Sequence, residues 1–276
     1  MCHLLWNKNV GAIDFPEALH NGGRFKPHVA LLTLPFAPRI MAESPTNPVS
    51  DDTARTFLKA LPFFQGLPEA SLQKAIAHLV TRPFPANQII LLEKDWGGSV
   101  YFIQMGWVKI RTYNLDGKEI TLNILGAGEL FGEMAALEEA TRSTDVITLT
   151  ATTISSIPAA DFVELVNTEP LVGVRLAQLM AKRLRQVNRR LQVRETNSLA
   201  RVADILVFLA ESQGQATDQG EIRIPSLPHR ELSSLSGLAR ETVTRVLTKL
   251  EKKGLIRRTP DAVFIPNLRA LDDIIH

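Results

Sequence analysis

The sequence predicts an α+β chain: an N-terminal antiparallel β-roll, a long dimerisation helix, and a C-terminal helix–turn–helix with a wing. Three observations predict it. Between Arg82 and Ile157, short β-branched and aromatic runs ("QIILLE", "VYFIQM", "WVKIRTY", "ITLNIL") alternate with glycines or an Asp-Gly pair, the pattern of an antiparallel meander. From Asp161 the period becomes helical; Ala177, Met180, Leu184, Val187 and Leu191 recur at spacings of 3, 4, 3 and 4, a heptad seam. Residues 228–256 then hold two amphipathic segments hinged at Gly237.

Four regions follow: a lead-in over 1–52, the roll over 53–168, the dimerisation helix over 169–196, and the winged helix–turn–helix over 197–276. Residues 1–40 lack clean periodicity and hold Cys2, His3, His20 and His28 without compact metal-ligand spacing. The next stretch, "MAESPTNPVSDDTAR", is polar and reads as a disordered lead-in. Met41 is the expected true start, with residues 1–40 translated from upstream sequence; the alternative is a genuine disordered extension. A native N-terminal peptide from residues 1–40 would exclude the later start.

In the roll region, "TARTFLKALPFFQGLPEASLQKAIAHL" reads as short helices broken by Pro62, Gly66 and Pro68. On the long helix, arginines and lysines flank the seam, which favours a homodimer through residues 177–191 over a stripe packed within its own domain. "TNSL" offers caps for a further helix that ends at Gly214, and "QATDQGEIRIPS" reads as a loop and a short strand. "LIRRTPDAVFI" reads as a two-stranded wing.

Composition narrows the partners. The 276 residues carry a net charge of +2, unevenly spread. Residues 1–170 hold 13 Lys and Arg against 18 Asp and Glu, and residues 171–276 hold 18 against 11. A basic second part invites nucleic acid, because each neutralised phosphate releases counterions; a basic surface without a partner is the alternative. The single cysteine excludes an internal disulfide framework and fits a cytoplasmic protein. No apolar run approaches the roughly 20 residues of a membrane span.

Two stretches carry chemistry. In "FGEMAALEEATRS" (131–143), Gly132 and Glu133 open a short helix expected near Glu133–Leu137, and Arg142 and Ser143 follow nine and ten residues after Glu133. Helix-start N–H groups favour an anion, and the Arg142 fork suits a phosphodiester. Glu133 would repel phosphate and should face a hydroxyl. Spacing alone nevertheless favours a plain Glu133–Arg142 ion pair at a turn. In "RETVTRVLTKLEKKG", Val243, Val246, Leu247 and Leu250 form the apolar face, while Arg240, Glu241, Thr244 and Arg245 cluster away from it at the N-terminal end, where base contacts are made. Arg forks onto guanine and Glu accepts from cytosine.

"FGEMAALEEATRSTDV" resembles the phosphate-binding cassette of cyclic-nucleotide-binding domains. The likeness extends through "LPFFQGLPEASL", "VYFIQMGWVKI", "DGKEITLNILGAGELFGE" and "RETVTR". Over roughly residues 53–270 the chain resembles the cyclic-AMP receptor protein / fumarate-nitrate regulator (CRP/FNR) superfamily. That resemblance implies ribose binding by Gly132 and Glu133 and cyclic-phosphate binding by Arg142 and Ser143. It also implies operator reading of a TGTGA-like palindrome in double-stranded DNA by Arg240, Glu241 and Arg245, and an effect on RNA polymerase. Where the family's cyclic-AMP receptor protein carries a Thr-Ser pair against adenine, this chain has Val187 and Asn188; only Asn188 can hydrogen-bond a base. Thr244 replaces a glycine of the family's recognition helix. Lys249, Lys252, Lys253, Arg257 and Arg258 read as phosphate or solvent contacts. Cyclic AMP is the expected effector, with cyclic GMP open and neither metal nor haem expected; His78 reads as a surface or core histidine. A regulator without a nucleotide ligand, constitutive or controlled by a protein partner, is the alternative. An enzyme is disfavoured, because the residues after the long helix leave no room for a catalytic domain.

Overall fold

The computed structural model describes residues 51–275. The readings placed on the upstream start, on Cys2 and on the lead-in as far as residue 50 lie outside the described residues.

Helix α1 (Asp51–Ala60) and helix α2 (Glu69–Ala77) are separated by Pro62, by Gly66 at φ 71°, and by Pro68 at the α2 N-cap. A proline there supplies a helix-compatible turn without wasting an N–H. The roll follows as β1 (Val80–Phe84), β2 (Ile89–Leu91), β3 (Ser99–Met105), β4 (Val108–Tyr113), β5 (Glu119–Leu125), β6 (Leu130–Phe131), helix α3 (Glu133–Glu138), β7 (Asp145–Thr148) and β8 (Thr152–Pro158). Its strands form two antiparallel four-stranded sheets, in the orders β1-β8-β3-β6 and β2-β7-β4-β5. The β4–β5 hairpin turns through Asn114–Lys118, where the Asn114 side chain accepts from the N–H groups of Asp116 and Lys118 and Gly117 takes φ 73°.

Alternation within the strands builds two cores. Ile103, Val108, Leu125, Phe131, Val146 and Ile154 cluster within the roll. Val100 and Phe102 join Phe63, Phe64 and Phe162 in a second cluster with the helices. Phe63 stacks on Phe162 at 5.7 Å between ring centroids.

Helix α4 (Ala159–Thr168) begins two residues before the expected period change. It stops at Glu169, extended before Pro170 as a residue preceding proline must be. Helix α5 (Pro170–Val193) starts with that proline in its first turn and runs for 24 residues, about 36 Å at 1.5 Å per residue. Within this chain its seam is uncovered: Leu184, Val187 and Leu191 are 61%, 50% and 59% exposed.

Helix α6 (Ser198–Gln213) is capped by Asn197, whose side chain accepts from the N–H groups of Leu199 and Ala200. Gly214 ends it, in an extended rather than a left-handed conformation. Its φ is −64° and its ψ 135°; glycine is needed because a Cβ would collide with Ala210 O and Ile222 Cγ2. Strands β9 (Gln215–Ala216) and β10 (Ile222–Pro225), helices α7 (His229–Ser236) and α8 (Arg240–Lys252), strands β11 (Arg257–Arg258) and β12 (Ala262–Ile265), and helix α9 (Leu268–Asp272) complete the chain. The wing is larger than the expected two strands. The sheet runs β11-β12-β10-β9, because "EIRIP" pairs with "AVFI" along Ile222–Pro225. Val202, Leu206, Val243, Leu247, Ile224 and Ile265 pack this last part into a core that also takes in Ile124 of β5.

Candidate functional site

The anion cassette sits between β6 and β7. Gly132 precedes α3 with φ 81°, a conformation that disfavours any side chain. A Cβ there would also lie 2.8 Å from Arg142 Nη1. Helix α3 ends at Glu139, itself left-handed at φ 50°. The chain then reaches Arg142, whose N–H donates to Asp95 O while its carbonyl accepts from Lys94 N. The β2–β3 loop thereby pins the cassette's far end.

The Arg142 side chain is buried. Nη1 donates to Gly132 O and Nη2 to Ser99 O, both at 2.7 Å, while Nε is buried without a partner. The guanidinium also lies 5.6 Å from the Tyr101 ring centroid. Carbonyls alone leave its positive charge without a counterion, and an anion is the group that completes such an environment. The orphaned Nε and the buried fork fit a phosphodiester.

Glu133 does not pair with Arg142, although spacing alone favours that. It is buried against Arg183 of α5, with Arg183 Nη1 2.5 Å from Glu133 Oε1, and Arg183 Nη2 also donates to Leu130 O. Sequence reasoning missed Arg183. The available signal was a cation beside the heptad seam facing a carboxylate that the roll buries.

The structure brings Gly132, Glu133 and Arg142 together. Ser143 is exposed at the cassette end. Asn188 is exposed on α5; five residues beyond Arg183, it lies about 140° around the helix from it. It therefore borders the uncovered seam, next to Val187 and one turn beyond Leu184.

At the other end of the chain, Gly237 takes φ 65° between α7 and α8. Arg240, Glu241, Thr244 and Arg245 are exposed on the first turns of α8. Thr244 is less free than its neighbours. Its Oγ1 donates to Arg240 O at 3.0 Å and lies 2.8 Å from His229 Nδ1. The Thr244 hydroxyl is thus engaged within the protein by both Arg240 and His229. Lys249, Lys252 and Lys253 are exposed. Arg257 pairs with Glu221 and lies 3.9 Å from the Phe264 ring centroid, and Arg258 pairs with Glu251 at 2.6 Å. These two arginines hold the wing together and are less available than the three lysines.

Two family descriptions match, "Cyclic nucleotide-binding domain" over residues 81–169 and "Crp-like helix-turn-helix domain" over residues 200–274. The cyclic AMP receptor protein of Thermus thermophilus is 33% identical over 218 residues, covering 79% of this chain and 98% of that protein. The chain is a CRP/FNR-family transcription regulator. The "CRP-like cAMP-activated global transcriptional regulator" of Mycobacterium tuberculosis is 29% identical over 210 residues, covering 75% of this chain and 93% of that one. Among solved structures, FixK2 from Bradyrhizobium japonicum shares the fold at a TM-score of 0.63 and 18% identity, over 72% of this chain and 98% of that chain. The regulator thus joins a cyclic-nucleotide-binding domain to a DNA-binding helix–turn–helix. Among its described residues, no helix is long and apolar enough to cross a membrane.

A cleft of about 1340 Å³ opens between the regulator's roll and its helix–turn–helix, away from the cassette. Arg190 lines it with Nε and Nη2 unpartnered. Burial lowers the Arg190 pKa, with Asp204 opposing.

Proposed function

We propose that the chain is a dimeric, sequence-specific regulator, cytoplasmic and controlled by a cyclic nucleotide, cyclic AMP in the first instance. The observation that carries this reading is Arg142: a buried guanidinium at a glycine turn, with no carboxylate paired to it and one orphaned N–H. Gly132, Glu133, Arg142 and Ser143 would hold the sugar and cyclic phosphate. The Thermus thermophilus relative is named for cyclic AMP, which supports the choice of effector.

The uncovered α5 seam supports a homodimer through residues 177–191. Asn188 borders that seam and is turned away from Arg183, so in the dimer it reaches toward the nucleotide held by the other copy. There it would contact the base, a role Val187 cannot fill. A dimer sets two α8 helices about 34 Å apart, one turn of DNA. Arg240, Glu241 and Arg245 read a TGTGA-like half-site, with Thr244 beside them, and bound dimers recruit or block RNA polymerase. The nucleotide shifts the equilibrium only by its differential affinity for the two states.

A second reading keeps the DNA function without the nucleotide. Both Arg142 Nη groups are already taken by carbonyls, and Glu133 is already paired with Arg183. Calorimetric titration of nucleotide-free protein with cyclic AMP, then cyclic GMP, decides. Micromolar binding of cyclic AMP with weaker cyclic GMP supports the first reading; no binding by calorimetry or by a second method selects the other.

A further inference from the structure

A chain of ion pairs runs from the cassette to the helix–turn–helix. Asp145, three residues after Arg142, accepts from Glu93 N through Oδ1 at 2.9 Å; Glu93 adjoins Lys94, whose N–H donates to Arg142 O. Through Oδ2, Asp145 accepts from Arg111 Nε on β4 at 3.1 Å. Arg111 Nη1 pairs with Glu119 of β5 at 2.7 Å, and Glu119 pairs with Lys109 Nζ at 2.6 Å. Lys109 then crosses to α7, with Nζ 3.0 Å from Glu231 Oε2. The Lys109 and Glu231 side chains are 8% and 1% exposed. Arg230 closes the series on Glu231 Oε1 at 2.8 Å and on Asn87 Oδ1 at 3.2 Å. Three cations thus face three carboxylates. Burial works against the charge on Glu119, but Lys109 and Arg111 hold its pKa below the ordinary value. Beside the pairs, Ser234 Oγ of α7 meets Thr121 N at 3.0 Å and Thr121 Oγ1 at 2.8 Å.

We propose that Lys109–Glu231, backed by Glu119, Arg111 and Asp145, is a latch that docks α7 on the β4–β5 hairpin and couples the cassette to the DNA-reading helices within one protomer. The coupling part rests on the nucleotide reading above; the docking part does not. Two features suit a latch. First, a buried charge pair gains from mutual attraction about what it loses in hydration, and both groups regain water when the surfaces part, so opening is inexpensive. Second, the pairs are contiguous and join two separate elements, as a coupling route between sites requires. A shift of the cassette backbone at Arg142 reaches Asp145 through both the chain and the 93–95 loop.

The test is a distance measurement by double electron–electron resonance on the full chain. Spin labels go on cysteines replacing Leu115, at the exposed hairpin tip, and Lys253, just after α8, in a Cys2→Ser background. With labelled chains diluted in an excess of unlabelled ones, so that a dimer carries at most one labelled protomer, the parent should give one narrow intraprotomer distance. K109M and R111M should broaden it, because each leaves two cations facing three carboxylates in a partly buried series. K109M/E231L should restore it, because two cations then face two carboxylates and the one residue that loses its carboxylate, Arg230, is half exposed and already in water. K74M, which removes the exposed Lys74–Glu164 pair, should leave it unchanged. A narrow, unshifted distance in both K109M and R111M overturns the latch. In parallel, the ratio of operator Kd without and with cyclic AMP should fall roughly fivefold or more in R111M, within the usual span of coupling energies; an unchanged ratio overturns the coupling. If the parent itself shows no response to cyclic AMP, the nucleotide reading fails and the coupling with it, while the distances alone decide the docking.

Discussion

Arg183 on α5 and Glu133 at the start of α3 form an ion pair across 50 residues of sequence, with Nη1 2.5 Å from Oε1. The pair fastens the long helix to the cassette. It also fixes the carboxylate that would meet a sugar hydroxyl. R183M leaves Glu133 buried and unpaired. It should destabilise the folded chain by about 3 kcal/mol, the usual cost of breaking a buried pair from one side. Urea unfolding of R183M against the parent measures this; equal midpoints would place Glu133 in water.

Arg142 makes no such pair, so its removal acts mainly on the ligand. R142A should weaken cyclic AMP binding roughly a hundredfold, the loss of a charge-assisted double hydrogen bond, while circular dichroism stays that of the parent. Normal nucleotide response in R142A would reassign the pocket.

On α8, two kinds of residue should separate cleanly. R245A should cost about 1–3 kcal/mol on the operator and relax its sequence preference, with weak non-specific binding retained. K252A should weaken all sequences alike and lower the slope of log K against log salt by about 1. Fluorescence anisotropy over a salt series with operator and scrambled duplexes distinguishes them. Equal loss of every sequence in R245A would count against base reading.

The α5 seam exposes Leu184, Val187 and Leu191 in the single chain. Each large apolar side chain covered in a dimer contributes roughly 1.5–3 kcal/mol. L184K/L191K should therefore sediment as a monomer where the parent is dimeric, and should lose palindrome binding while keeping α5 folded. A dimer that survives both charges would move the interface elsewhere.

Glu129 supplies a pH test. It is partly buried in the β5–β6 loop and accepts from Gly126 N and from Gln213 Nε2 of α6. Burial raises its pKa above the ordinary 4.5, outweighing those hydrogen bonds and the attraction of Arg183. A folded-state pKa raised above the unfolded one means stability that is full below about pH 4.5 and is lost as pH rises through the folded value. E129Q should remove that loss, so the variant gains on the parent with rising pH and matches it in acid. Thermal unfolding from pH 4 to 8 follows the difference; a constant offset would discount the titration of Glu129.

The sequence legibly specified the local features. Asn197 caps α6 because its short side chain reaches N–H groups two and three residues on. Pro170 opens α5, Gly237 hinges the two reading helices, and the alternation in "VYFIQM" marks a strand with one face buried. Gly132, Glu133 and Arg142 stood out as a set through the resemblance of "FGEMAALEEATRSTDV" to a phosphate-binding cassette, since their spacing alone favoured a plain ion pair. Three features were not legible. Gly214 marks the end of α6 in the sequence, but the crowding by Ala210 and Ile222 that demands glycine there was not visible. The short strand in "QATDQGEIRIPS" gave no sign of joining the wing, because its pairing with Ala262–Ile265 is a contact about 40 residues away. The engagement of the Thr244 hydroxyl by His229 and Arg240 depends on α7 packing against α8.

What the sequence determined alone was therefore the order of elements, the apolar faces and the residue types at each end of the molecule, since these depend on neighbours within a few residues. Which charge meets which was decided only by tertiary structure. Glu133 met Arg183 rather than Arg142, and Lys109 met Glu231 from 122 residues away. Coulomb attraction and desolvation depend on distances of a few ångströms and on burial, and neither is set until the sheets and helices have packed.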